Sequence, residues 1–200
     1  MFKIVLLFAG IALCQADLPV TPPKSPSATP PPVKCGVTPT EIHKCLGNPK
    51  LVTRDITAQC NSKGPNECKR MKCIFSKSGW MSGDAIDKAK VTAHFEQFAK
   101  NYSHPNWAPV VNQVKASCLA GSLPTQGVYL NCPAYDTIHC VLTVFFKNAQ
   151  PSQWSTAAEC NYARQFAAVC PICPEDCFAA AIPYGSCNAC RLLPQSPQTP

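Results

Sequence analysis

The residues best suited to chemistry in this chain are its sulfurs. Cys170-Pro-Ile-Cys173 and, thirteen residues later, Cys187-Asn-Ala-Cys190 form two CxxC pairs. A zinc ribbon uses such pairs to set four thiolates around a tetrahedral metal. A CxxC can also cycle as a redox pair, but neither pair sits in the thioredoxin-like βαβ pattern that use requires. The four histidines, His43, His94, His104 and His139, fall in no HExxH spacing. No GxSxG elbow, Walker loop or GxGxxG occurs.

Ile138-His139-Cys140 shares its start with the secreted phospholipase motif. That activity needs an aspartate directly after the histidine for its calcium chemistry, and Cys140 stands there instead. The expectation is a non-enzyme without a cofactor. Two further groups carry hypotheses. His94 lies beside Phe95 on a predicted helix, and charging it below about pH 6.5 would destabilise a closed pocket. Asn101-Tyr102-Ser103 is an N-glycosylation sequon at a predicted helix end.

The redox setting decides between zinc and disulfides. Met1-Phe2-Lys3 is a short positive start, Ile4 to Leu13 is unbroken apolar sequence, and Cys14-Gln15-Ala16 ends in small residues. Residues 1–16 read as a secretory signal peptide, with an apolar run too short to span a bilayer. Its removal takes Cys14 and Lys3, leaving an even set of 14 from 15 cysteines and lowering the formal charge from +7 to +6. An even set in an exported chain reads as a disulfide framework of up to seven bridges. The intervening Cys177 also favours disulfides, and a C-terminal zinc-binding module is the alternative.

Of the 200 residues, 46% are hydrophobic and only 14% charged, which excludes a highly charged disordered chain and leaves enough apolar material for a core. The cysteine density falls just below the roughly 8–10% of a pure disulfide scaffold, so a hydrophobic core that is also stapled is expected. The lysines are scattered. The densest cluster, Lys69-Arg70 with Lys72, reads as a solvated helix face and not as a nucleic-acid stripe. No second apolar stretch of about eighteen residues follows the first.

The elements that must position these groups are helical. Residues 17–34 hold seven prolines in eighteen residues and form an extended, semi-rigid arm; residues 191–200 are a frayed tail. Between them, residues 35–190 are one cysteine-rich domain. Asp84 is the expected N-cap, with Asp87 three residues on, of a helix carrying Val91, Phe95, Phe98 and Tyr102 on one stripe. Val110, Val114 and Cys118 recur at four-residue steps within 106–119. Pro133 opens a segment with a stripe of Tyr135, Ile138, Leu142 and Phe145. Its Val141–Phe146 core has high β-propensity, yet helix is favoured. Thr156-Ala-Ala-Glu159 matches a capping box starting a helix toward Cys170, and Pro174 opens a last short one. No two-residue Asn-Gly hairpins between alternating strands appear. The fold class is all-α: a compact bundle of about six to eight short, disulfide-linked helices.

The cysteine spacing then becomes recognisable. Cys45, the pair Cys68-Lys-Arg-Met-Lys-Cys73 followed by Ile74-Phe75, and Cys118 after 44 residues resemble insect odorant-binding proteins. Trp154-Ser-Thr-Ala-Ala-Glu-Cys160 and, nine residues on, Cys170-Pro171 resemble their Plus-C subclass, with 171–190 as its extension. The second and third cysteines have four residues between them where the family usually has three. A competing register takes Cys132 and Cys140 as fifth and sixth, with Pro133 misplaced. The family pairs first with third, second with fifth and fourth with sixth. On the preferred six, the resemblance implies Cys45–Cys73, Cys68–Cys160 and Cys118–Cys170, leaving Cys35, Cys60, Cys132, Cys140, Cys173, Cys177, Cys187 and Cys190 unassigned.

The resemblance further implies a secreted, extracellular carrier of small hydrophobic, odorant- or pheromone-like molecules, held in an apolar cavity and moved through an aqueous secretion. A membrane chemoreceptor is an implied partner, nucleic acid is not, and the expected state is a monomer or weak homodimer. A route from sulfur to cavity exists, because bridges worth roughly 2–4 kcal/mol each relieve packing of part of its role. Burying about twelve methylenes yields roughly 10 kcal/mol gross, and association takes back at least about 4 kcal/mol. That leaves affinities near or weaker than micromolar. The candidate pocket residues are the large inward side chains: Phe75, Trp80, Phe95, Phe98 and Tyr102 on the first half, and Val110, Val114, Ile138, Leu142, Phe145 and Phe166 on the second. Tyr102 or Tyr135 would supply one orienting hydroxyl. A disulfide-rich secreted inhibitor or matrix protein is the alternative from another class.

Overall fold

The computed structural model describes residues 33, 35–50, 52–61, 66–123 and 131–173, all within the unit Pro32–Pro200. The expected signal peptide, the Pro-rich arm apart from Val33, the helix opened by Pro174, the cysteines Cys177, Cys187 and Cys190, and the tail lie outside the described residues.

Seven α-helices are present among the described residues: α1 Ile42–Cys45, α2 Arg54–Cys60, α3 Glu67–Lys77, α4 Lys88–Asn101, α5 Ala108–Val114, α6 Pro133–Asn148 and α7 Asn161–Val169. The protein is a disulfide-linked all-α bundle. Each cap follows from local chemistry. Thr53 Oγ1 accepts from the Ile56 amide, Asn66 Oδ1 from Lys69 at 2.9 Å, and Asp87 Oδ1 from Lys90 at 3.1 Å, each satisfying an orphan donor of a first turn. The N-cap of α4 is thus Asp87 rather than Asp84. The reason is Gly83, whose φ of +61° turns the chain into a short hairpin pairing Met81–Ser82 with Ala85–Ile86, a conformation glycine adopts without a Cβ penalty. The expectation of no hairpin is corrected to that extent.

The Val141–Phe146 ambiguity resolves as helix, with Pro133 in the first turn of α6 where its missing N–H leaves no gap. This helix buries Ala134, Tyr135, Ile138, Val141, Phe145 and Phe146 and packs against α3, α5 and α7. Burial on several faces explains the helical run of residues that alternate poorly as a strand. α5 continues into a π-helical turn at Lys115–Leu119, closed by the Ala120 amide on the Lys115 carbonyl at 2.8 Å. The capping box predicted at Thr156 does not form: α7 begins at Asn161 after a 3₁₀ turn. A capping box occurs instead between Gln150 and Gln153, where the Gln153 side chain accepts from the Gln150 amide at 2.7 Å. Lys147 reaches across from α6 and donates to the Ala167 carbonyl at 2.7 Å and to the Cys170 carbonyl. A cation is thereby set at the negative end of the α7 dipole.

The bridges are Cys35–Cys170, Cys45–Cys160, Cys60–Cys73, Cys68–Cys132 and Cys118–Cys140; Cys173 is also disulfide-bonded. The implied pairs Cys45–Cys73, Cys68–Cys160 and Cys118–Cys170 are therefore corrected. Geometry supplies the reason. The end of α1 lies on α7, where Cys45 and Cys160 have Cα atoms 5.4 Å apart. Cys73 faces α2, with its Cα 5.6 Å from that of Cys60. Cys68 and Cys73 are five positions apart, about 140° around a helix at ~100° per residue, so one bridges to α2 and the other toward α6. Six successive cysteines, from Cys60 to Cys140, pair first with third, second with fifth and fourth with sixth. Cys45–Cys160 and Cys35–Cys170 close concentrically outside them.

Candidate ligand site

Most of the predicted inward residues meet one another and not an empty space. Phe145 lies at the centre, with its ring centroid 5.4 Å from that of Trp107, 5.7 Å from Phe95 and 6.1 Å from Phe98. Phe75 packs edge-on against Trp80 at 5.3 Å. Phe75, Phe95, Val110, Val114, Phe145 and Phe166 are all buried in the core. Interdigitated rings at these spacings fill the centre of the bundle. Tyr102 departs from its predicted stripe: it is 58% exposed at the C-cap of α4, with its ring on Phe98 at 5.1 Å. Its neighbour Asn101, the sequon asparagine, is also exposed and accepts from Gln97 at 2.7 Å.

The best-formed concavity lies to one side of that core. It has a volume of about 280 Å³, just below the roughly 300–1,000 Å³ of small-molecule pockets. Of the predicted residues, Ile138 and Leu142 line it, and Tyr135 is also among the lining residues. Met71 on α3, Phe146 on α6 and Ile172 add apolar lining, and Thr38, Thr40, His43, Glu67, Arg70 and His139 add polar lining. Arg70 Nη1 donates to Glu67 at 3.1 Å, so the basic cluster read as a solvated face places one member in this lining. Thr38 Oγ1 reaches the Cys173 carbonyl at 3.5 Å across the cavity edge. His43 packs edge-on against Phe146 at 5.3 Å, and His139 stacks on Tyr135 at 6.1 Å.

Sequence reasoning missed Thr38, Thr40, His43, Met71, Phe146 and Ile172. Phe146 was findable, because Ile138, Leu142 and Phe146 recur at four-residue steps and Phe145 starts a different face. The residues from 38–43 and 172 had no such signal, since the bridges Cys35–Cys170 and Cys45–Cys160 bring them beside α6. The same bridges bear on zinc. Cys170 is bonded to Cys35 and Cys173 is disulfide-bonded, so the two CxxC pairs do not offer four thiolates. Among the described residues, no cluster of three or more His, Cys, Asp or Glu is placed to hold a metal ion. Nor is any described helix long and apolar enough to cross a membrane.

No protein-family model and no curated protein matches the chain.

Burial holds His139 below the ordinary imidazole value of 6.5, against the opposing pull of the Ile172 carbonyl and Asp136, and burial likewise lowers His94. The folded protein thus binds fewer protons than the unfolded chain below about pH 6.5, and stability rises with pH through that window. It is complete above 6.5 and declines as pH falls toward the folded values. Denaturant midpoints measured at pH 7.5, 6.5, 5.5 and 5.0 should fall across the last three, and His94→Gln combined with His139→Gln should make the decline shallower, the remainder coming from His43, which burial also lowers. A parent curve that is level from 7.5 to 5.0 contradicts this.

Proposed function

We propose that this protein is a secreted, non-enzymatic carrier of small hydrophobic molecules, with the cavity between α1, α3 and α6 as its binding site. The observation that carries the reading is the composition of that cavity. Met71, Ile138, Leu142, Phe146 and Ile172 offer apolar surface to the body of a ligand, and Thr38, Thr40, His43, Tyr135 and His139 add polar groups to the same lining. Moving apolar area out of water is the main driving force such a site supplies, at about 25 cal/mol per Å². The walls are tethered near the cavity by Cys35–Cys170 and Cys68–Cys132, which lowers the ordering needed on binding.

The likeness to insect odorant-binding proteins supports the same reading, though on a register that the Plus-C proline does not fit. Their pairing order, first with third, second with fifth and fourth with sixth, occurs here on Cys60, Cys68, Cys73, Cys118, Cys132 and Cys140. Odorant-like ligands, olfactory tissue, delivery to a membrane chemoreceptor, a monomer or weak homodimer and glycosylation at Asn101 all belong to this proposal. The exported, oxidising setting fits a chain in which eleven described cysteines are disulfide-bonded.

A naphthylamine fluorescent probe tests it. Uptake should be saturable near or weaker than micromolar and reversed by a small terpene, and Leu142→Trp, which fills the cavity, should weaken it at least tenfold. Equal uptake by parent and variant, or none by the parent, ends the proposal.

A further inference from the structure

A second concavity shares no lining residue with the carrier cavity. It has a volume of about 480 Å³, within the range of small-molecule pockets, and lies between residues 47–50 and one face of α4. From that helix His94, Gln97, Phe98 and Asn101 line it, and Tyr102 follows at the C-cap. Asn101, the sequon asparagine, is thus part of the cleft.

The end of α4 presents the sequon to water. Tyr102, with φ −119° and ψ 70°, leaves the helix, and Asn101, Tyr102 and Ser103 are all exposed. An N-linked glycan is bulky and solvated, so only an exposed asparagine can carry one in the folded chain. Gln97 Nε2, one turn back, donates to Asn101 Oδ1 at 2.7 Å. The oxygen is thereby held. Nδ2, the atom to which a glycan is joined, has no hydrogen-bond partner among the described residues. The ring of Tyr102 rests on Phe98 at 5.1 Å and the residue remains 58% exposed, so apolar surface is left open in the cleft beside the sequon.

We infer that Asn101 carries an N-linked glycan whose first sugar is seated in this cleft on Tyr102. Its attachment requires the export proposed above. The donor is an oligosaccharide joined through a diphosphate to a lipid, and a transferase of the secretory pathway moves it. Asn101 Nδ2 forms a bond to the anomeric carbon of the first N-acetylglucosamine as the bond from that carbon to the diphosphate breaks. The lipid diphosphate leaves, and Nδ2 gives up one of its two protons. Because Asn101 is itself a lining residue, the first sugar begins at the cleft without a spacer. The C–H face of a pyranose is apolar, and laying it on the tyrosine ring removes apolar area of both from water. Asn48, Lys50 and Gln97, in the same lining, offer polar partners to its hydroxyl and acetamide groups.

The test uses the full chain secreted by eukaryotic cells. Enzymatic release of N-glycans should lower the intact mass and leave Asp in place of Asn101. Ser103→Ala should abolish that loss of mass, and Ser103→Thr, which keeps the sequon, should retain it. A secreted, disulfide-bonded parent with no loss of mass overturns the inference, while the carrier proposal then still stands or falls by probe uptake alone. Seating is read from a double-mutant cycle. The glycosylated parent should melt about 2–4 °C above Ser103→Ala, and Tyr102→Ala, which also keeps the sequon, should remove that difference. Equal differences with and without the tyrosine ring overturn the seating.

Discussion

Removing the Cys45–Cys160 bridge by Cys45→Ala and Cys160→Ala should lower stability by about 3 kcal/mol, and removing Cys35–Cys170 as well should bring the loss to about 8 kcal/mol. The two bridges span 115 and 135 residues, and in the chain-entropy account a loop of either length is worth about 5 kcal/mol on its own. They are nested, however. While Cys35–Cys170 stands, losing Cys45–Cys160 frees only the ring made by residues 35–45 and 160–170, about twenty residues, worth about 3 kcal/mol. The second removal then opens the full span. Since whole domains hold about 5–15 kcal/mol, the quadruple variant should be largely unfolded at 37 °C while either double variant remains folded. Guanidinium unfolding of the three variants measures this. Losses that simply double from one pair to two would refute the nested account.

Phe145→Ala should cost about 3–5 kcal/mol, the range for truncating a buried aromatic. The ring is 0% exposed and shares contacts with Phe95, Phe98 and Trp107, three neighbours too bulky to close a void of that size. The loss should come without a matching loss of probe binding, because Phe145 faces the core while Ile138, Leu142 and Phe146 face the cavity. Thermal denaturation paired with probe titration separates the two effects. A large fall in affinity with stability intact would mean that the core and not the lateral cavity holds the ligand.

These two substitutions show what was legible in the chain. Helical class and the α4 and α6 stripes could be read because apolar side chains recur at 3.6-residue spacing, and local spacing is all a helix needs. Which stripe residue meets a cavity could not be read: Phe145 and Phe146 are adjacent in sequence and differ by about 100° around the axis. Caps were readable only in kind. Asp84 and Asp87 both suit an N-cap, and the choice fell to Gly83, which turned the first into a hairpin. The Thr156 capping box failed because the chain there runs through a 3₁₀ turn, where Ser155 Oγ takes the Ala157 amide at 3.2 Å. Sulfur pairing depends on which helices pack together, and none of the three implied pairs forms; the implied order occurs on a different six cysteines. The cavity lining from Thr38 to His43 is held beside α6 by those non-local bonds.

Concentric closure also governs how this protein responds to a protease. Any single backbone cut between residues 45 and 160 leaves both pieces joined by the outer two sulfur links. A nicked molecule would run as one species on a non-reducing gel and fall apart only when thiol is added. Damage of that kind leaves the severed parts tethered to one another.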